Sequence, residues 1–347
     1  MESRMNLSGI LAKIEKIRHN IRQRFQGSRE YQFGERDMKQ SIRMRANAVL
    51  LLTAIIWGVA FVAQSVGMDY VGPFTFSSVR NLIGGVVLLP CIALLDRLDS
   101  RSQTKESAPK NEAWPILGGV CCGVSLAVSE VLQQFGIART SVGKAGFLTA
   151  MYILIVPLLG ILVGKRVSAK VWGAVALALC GMYLLCMTES SGIALGDLLV
   201  LAAAVGFSTH ILIIDYFSPG VDCVRMSCIQ FFTAGALCLL PMLLIEQPTF
   251  DALLGAWAPI LYAGVLSSAV AYTLQVIGQK YTEPSVASLI LSLESVVAAL
   301  AGWVLLGERL SVRELTGCVL AFAAIILAQL PDRHLHPAQK TNRPGKS

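Results

Sequence analysis

The sequence is short of charge. Only 15% of its 347 residues are Asp, Glu, Lys or Arg, against roughly 25% in an average soluble domain. The deficit is uneven: residues 1–45 hold 11 Lys/Arg and 5 Asp/Glu, which leaves little for the remainder. Two stretches, 145–164 and 226–245, contain no charged residue at all. A chain that is 54% hydrophobic cannot cover a soluble surface with so few charges. The nine cysteines show neither a CxxC nor a zinc-knuckle spacing, so no redox motif, metal site or disulfide framework is expected. Cys91, Cys180, Cys186, Cys228, Cys238 and Cys318 fall inside apolar runs and read as small hydrophobic residues. No HExxH, GxSxG or nucleotide-binding motif occurs, which argues against a membrane-embedded enzyme, against ATP-driven pumping and against any bound cofactor. The first 45 residues also lack the apolar core of a signal peptide.

What is present is a series of apolar runs. A helix needs about 20 mostly apolar residues to cross a bilayer, and backbone groups in lipid must be paired within the segment. Ten runs meet this description: about 46–67, 73–95, 115–137, 142–163, 170–188, 196–215, 223–245, 257–278, 284–306 and 313–331. The expected fold class is an all-α polytopic membrane protein with ten transmembrane helices. Connections are short except for the polar segment 96–114. With the N-terminus in the cytoplasm, 24 Lys/Arg fall on the cytoplasmic side and 4 (Arg139, Lys144, Arg309 and Arg313) on the other. The charge bias therefore places both termini in the cytoplasm.

The ten spans divide into two sets of five. Shifted by 142, residues 122–160 match residues 264–302 at ten of 39 positions, including Gln133 with Gln275, Gly136 with Gly278 and Thr140 with Thr282. "SSVR" (77–80) matches "SCIQ" (227–230), a shift of 150. Five is odd, so the two halves enter the membrane from opposite sides. That predicts two inverted five-helix repeats, with a central site near the midplane between them. The boundaries are a basic tail at 1–45, repeats at 46–188 and 189–331, and a second tail at 332–347.

The order of "WGVAF" (57–61), the second span with Arg80, "LYAGVLSSAVAYTLQVIGQKYT" (261–282) and "LESVVAALAGWVLLGERLS" (293–311) resembles the drug/metabolite transporter superfamily, in its ten-helix branch with two EamA-type repeats. The resemblance spans about residues 46–331. It implies a carrier, and many such carriers export amino acids and other small metabolites. Two departures stand out. Ser295 follows Glu294 where members often have proline, so no proline marks a helix break there; Phe207 stands where the sixth span often carries Trp.

Polar residues inside spans are costly and mark function or a structural partner. Glu294, about ten residues into the ninth span, is the first candidate, either as a proton-exchanging or amine-binding carboxylate or as a structural hydrogen-bonder. Glu130 in the third span aligns with Tyr272 and is a candidate for the cavity wall. Arg80 has three readings: it snorkels to the interface, pairs with Glu130 or Glu294, or binds a substrate carboxylate. His210 can bond to a facing helix or relay protons. Gln133 and Gln275 read as hydrogen-bonders between helices. Gln64, Tyr152 and the mid-span Trp57 complete the set. Pro157 is expected to kink its helix, and Pro284 to sit at a helix start.

In the tail, Leu7, Ile10, Leu11, Ile14, Ile17, Ile21 and Phe25 share one helical face opposite Lys13, Lys16, Arg18, Arg22 and Arg24. That pattern predicts a basic amphipathic helix lying on anionic lipid; nucleic acid is not an expected partner. The functional expectation is a secondary transporter, an exporter of a small organic metabolite or drug-like solute, in a bacterial inner membrane. The partners are that solute and the bilayer. Proton coupling and a homodimer are left open. The competing readings are a non-transporting receptor or scaffold subunit and, with less support, a membrane enzyme; Ser208 and His210 are two residues apart on one helix and face different ways.

Overall fold

The computed structural model describes residues 41–101, 113–140, 142–162, 164–165, 167–186, 194–306 and 311–329. The interfacial helix expected in the first tail and the tail at 332–347 lie outside these residues. Among the described residues every regular element is helical. The first half contains α1 (Ser41–Gly67), α2 (Pro73–Arg101), α3 (Ala113–Ile137), α4 (Val142–Thr149), α5 (Tyr152–Leu162) and α6 (Ala169–Cys186). The second contains α7 (Leu195–Phe217), α8 (Cys223–Pro241), α9 (Phe250–Gly255), α10 (Trp257–Leu261), α11 (Thr273–Gln279), α12 (Pro284–Leu291), α13 (Leu293–Leu306) and α14 (Val312–Gln329).

Among the described residues eight helices, counting α4 with α5, α10 with α11 and α12 with α13, are long and apolar enough to cross a membrane. At the fifth and tenth expected spans, the described residues give the shorter apolar helices Ala169–Gly181 in α6 and Leu315–Ala328 in α14. The outer surface is greasy, with Leu162 80%, Val304 69% and Leu240 63% exposed. Such a surface suits lipid and not water.

Helix starts follow from local chemistry. Asp222 caps α8 by accepting from the N–H groups of Val224 and Arg225 at 2.9 and 3.2 Å. Asp197, in the first turn of α7, reaches back to the N–H of Ala194 at 2.8 Å and also holds Lys144 at 2.6 Å. Pro284 opens α12, where its missing N–H costs nothing.

Three spans are irregular inside. Between α10 and α11, residues Tyr262–Tyr272 form wider i→i+5 turns. Their carbonyls accept from α1: Trp57 Nε1 donates to Ser267 O at 3.3 Å and Thr53 Oγ1 to Ala271 O at 3.3 Å. The fourth span breaks at Ala150 and Met151, between α4 and α5. Pro157 was expected to cause a kink but lies inside α5; the interruption precedes it and is stitched by i→i−3 bonds from Ile153 to Ala150 and from Leu154 to Met151. The ninth span breaks at Ser292 without proline. Ser292 Oγ donates to Leu289 O and Ser295 Oγ to Ser292 O, both at 2.8 Å. Serine hydroxyls that compete for carbonyls in this way loosen a helix.

Packing places these interruptions at the centre. α4 lies against α13 and α5 against α12, so the two broken spans cross. α2 packs on α8 and on the Tyr262–Tyr272 stretch, α3 on α7 and α8, and α6 on α14. Since lipid supplies no hydrophobic drive between helices, close approach at small residues carries much of the association. Gly58 is one such point: a Cβ there would meet Val297 Cβ at 2.4 Å and the carbonyl of Glu294 at 2.8 Å. α1 thus seats directly on the turn that carries Glu294.

Candidate functional site

Nine of the ten candidate residues line one cavity: Glu294, Arg80, His210, Trp57, Gln64, Tyr152, Gln133, Gln275 and Tyr272. The cavity amounts to about 30 Å³, room for a water or two and too little for an organic solute. The site is therefore contracted in this state.

Glu294 is the second residue of α13, immediately after the Ser292 break. It is 4% exposed. Tyr152, the first residue of α5 after the matching break, donates its hydroxyl to Glu294 Oε1 at 2.8 Å. Among the described residues no Lys, Arg or His forms an ion pair with Glu294.

The tenth candidate, Glu130, is fully buried and absent from the lining. Its expected place on the cavity wall is taken by Arg80. The Arg80 guanidinium pairs with Glu130 at 2.8 Å and donates to Gln64 Oε1 at 3.2 Å. Asn81 Nδ2 donates to the other Glu130 oxygen at 2.5 Å. Of the three readings of Arg80, pairing with Glu130 is the one observed. Snorkelling is excluded, since the side chain is 2% exposed: it lies against Phe76 and a carboxylate that the interface could not supply. Charge on this pair is thus cancelled inside the protein, while Glu294 has a hydroxyl partner only.

Aromatic rings form one side of the cavity. The Trp57 and Tyr272 ring centroids are 4.5 Å apart, and His210 meets the edge of Tyr272 at 5.8 Å. His210 Nε2 lies 3.1 Å from Gln230 Oε1, a bond to a facing helix. Ser208 instead donates to Ala204 O at 2.7 Å, so it and His210 do not form a nucleophile–base pair. Gln133 donates to Thr149 Oγ1 at 3.0 Å, as an interhelical bonder should; the Gln275 carbonyl oxygen is buried without a partner. Among the described residues no three His, Cys, Asp or Glu side chains converge as metal ligands would.

Phe61, Thr149, Phe207, Ile211, Ser267 and Leu291 also line the cavity and were not anticipated there. One signal reaches one of them. Trp57 and Phe207 are 150 residues apart; Gln133 and Gln275, Thr149 and Leu291, and Tyr152 and Glu294 are each 142 apart. All eight face the cavity. Taking the matched position of each candidate in the other half would have led from Trp57 to Phe207, whereas Thr149 and Leu291 match only each other and no candidate leads to them.

The model of the EamA-like transporter family matches residues 44–187 and again residues 194–330. An uncharacterised transporter of Archaeoglobus fulgidus is 29% identical over 290 residues, 83% of this chain and 87% of its own. A probable terminal-alkyne amino-acid exporter of Streptantibioticus cattleyicolor is 28% identical over 308 residues, 86% of this chain and 97% of its own. A protein of known crystal structure, 19% identical, shares the fold with a TM-score of 0.67 over 82% of this chain and 96% of its own.

Proposed function

Because the chain belongs to the EamA-like transporter family, within the drug/metabolite transporter superfamily, we propose that it exports a small organic solute across a bacterial inner membrane by alternating access. It is a multi-pass membrane protein, and its family and relatives are transporters rather than enzymes. The proposal concerns the direction, the solute, the coupling and the ten-span inverted arrangement with both termini in the cytoplasm. Helix contacts support that arrangement: α2 with α8, α6 with α14 and α5 with α12 each bring together equivalent spans of the two halves.

The observation that carries the reading is the bond from Tyr152 to Glu294. It joins matched positions of the two halves, at the interruptions of both broken spans, on the wall of the central cavity. Broken helices at a midplane site, between two repeats, are what solute binding in secondary transporters uses. In the contracted state the hydroxyl of Tyr152 serves Glu294. When the halves rock apart, the carboxylate is free to take a proton or a solute amine. Arg80 and Glu130 neutralise one another beside it, which leaves Glu294 and His210 as the cavity-wall acid and base outside that ion pair.

Flux into proteoliposomes tests the proposal, using a panel of amino acids, sugars and cationic drugs, with and without a pH gradient. Amino acids come first because one relative carries the name of an amino-acid exporter. The expected result is movement of at least one solute, driven by the gradient. No gradient dependence for any solute that moves would end the proton-coupling part.

A further inference from the structure

α2 and α8 are clasped at both ends, and the two clasps correspond residue for residue. At one end, Glu246 closes the wide turn that ends α8 and grips the first turn of α2. Its Oε1 accepts from the N–H of Phe74 at 2.9 Å, and its Oε2 accepts from the N–H and the hydroxyl of Thr75, both at 2.6 Å. At the other end, Asp96 near the end of α2 accepts from Arg225 in the first turn of α8 at 2.6 Å. Asp96 and Glu246 are 150 residues apart, and so are Thr75 and Arg225, the same shift that matches "SSVR" with "SCIQ". Thr75 and Arg225 are each the third residue of their helix. Along α2 the two clasps are separated by ~30 Å at 1.5 Å per residue, about the thickness of the hydrocarbon core. One therefore sits at each face of the membrane.

The two are unequal. Glu246 is half-buried, charge-assisted and aligned with the positive end of a helix. Asp96 and Arg225 are 52% and 50% exposed, where water and salt weaken an ion pair. Gly72 leaves the space that the stronger clasp needs: a Cβ there would stand 2.3–2.6 Å from the Glu246 carboxylate. Both clasps are shut here, and the cavity between them holds no more than a water or two.

We propose that Glu246 and Asp96 are the two gate residues of the transport cycle, each letting go of the opposite helix when its own side opens. The proposal rests on the alternating-access reading above. In the charge-derived orientation, the Glu246 clasp is the outer gate and the Asp96 clasp the cytoplasmic one. The stronger clasp biases the resting protein against opening outward.

The test reads access to the cavity and needs no solute. Thr149→Cys is introduced into the full chain after its nine native cysteines are replaced, and a membrane-impermeant maleimide is added to either side of oriented proteoliposomes. Glu246→Gln and Gly72→Ala are expected to speed labelling from the side bearing residues 68–72 by about tenfold, as for loss of a charge-assisted hydrogen bond. Labelling from the other face is expected to stay the same or slow. Arg225→Gln is expected to do the reverse, with a smaller gain. The exchange Asp96→Arg with Arg225→Asp, made together with Asp222→Asn because Asp222 also pairs with Arg225 at 3.3 Å, keeps the ion pair and is expected to return labelling to the starting rate. Equal acceleration from both sides, no acceleration in any variant, or an exchanged pair that folds yet behaves like Arg225→Gln would overturn the gates. One-sided opening in a protein that moves no solute would count against the transport reading and leave the gates standing.

Discussion

Tyr152 and Glu294 occupy the same position in the two aligned halves, 142 residues apart, and the hydroxyl of one donates to the carboxylate of the other at 2.8 Å. Two equivalent positions touch only where the axis relating them passes between them. In the two-repeat arrangement proposed here, this bond marks the pivot of the molecule. Around it the halves differ in chemistry: a phenol in one faces an acid in the other. Glu130 and Tyr272 repeat the exchange in reverse, with the acid in the first half and the phenol in the second.

That bond has a measurable strength. A hydrogen bond contributes roughly 0.5–1.5 kcal/mol net, and more when one partner is ionised. Tyr152→Phe and Glu294→Gln should each change the unfolding free energy in detergent, and the double variant should change it by less than their sum. A coupling of about 1 kcal/mol or more is the expected result of the double-mutant cycle. Strict additivity would mean that the two groups do not interact in solution.

The buried pair of Arg80 and Glu130 behaves differently. Removing one partner strands a charge and should cost about 3–5 kcal/mol, whereas replacing both with apolar residues of similar size should recover much of that loss. Arg80→Met, Glu130→Leu and the double variant, compared by chemical denaturation, test this. A double variant as unstable as the sum of the singles would contradict it.

Gly58→Ala should destabilise the protein by about 1–3 kcal/mol through overpacking. The added methyl meets Val297 Cβ and the backbone carbonyl of Glu294. Trimming Val297 to Ala leaves both of those atoms in place, so it should not rescue the variant. Thermal unfolding of the single and double variants checks this, and full rescue would show that the contact with Glu294 O is not limiting.

The helix break at Ser292 should depend on its hydroxyls. Ser292→Ala with Ser295→Ala removes two donors that take carbonyls at 2.8 Å, favouring a continuous helix through Glu294. Expression and melting point should hold, since a continuous helix offers the freed Leu289 and Ser292 carbonyls backbone N–H donors four residues on, while solute flux falls severalfold. Unchanged flux would separate the break from the transport cycle.

Much of this was readable in the sequence, and the rest was not for definite reasons. The apolar runs from residue 46 onward follow directly from the cost of charge and unpaired backbone in lipid. Nine cavity residues were reachable because polar groups in such runs are few. Which polar group meets which was not readable: Arg80 had Glu130 and Glu294 within its expected reach, and the choice depends on helix rotation. Asn81, which completes the Glu130 site, looks like any polar residue near a helix start. The break before Glu294 was hidden because serine hydroxyls do there what proline often does. Glu246 at the end of its span reads as an interface charge until it is set beside Asp96 and their common shift of 150 is noticed.

The most direct test of the central claim is solute flux by Glu294→Gln in proteoliposomes, beside the unaltered protein and across a range of pH. If Glu294 is the carboxylate that exchanges a proton or solute in the cavity, the variant will insert and fold normally, flux will fall at least about tenfold, and what remains will not depend on pH. Flux and pH dependence equal to those of the unaltered protein would return Glu294 to a structural role and contradict the account.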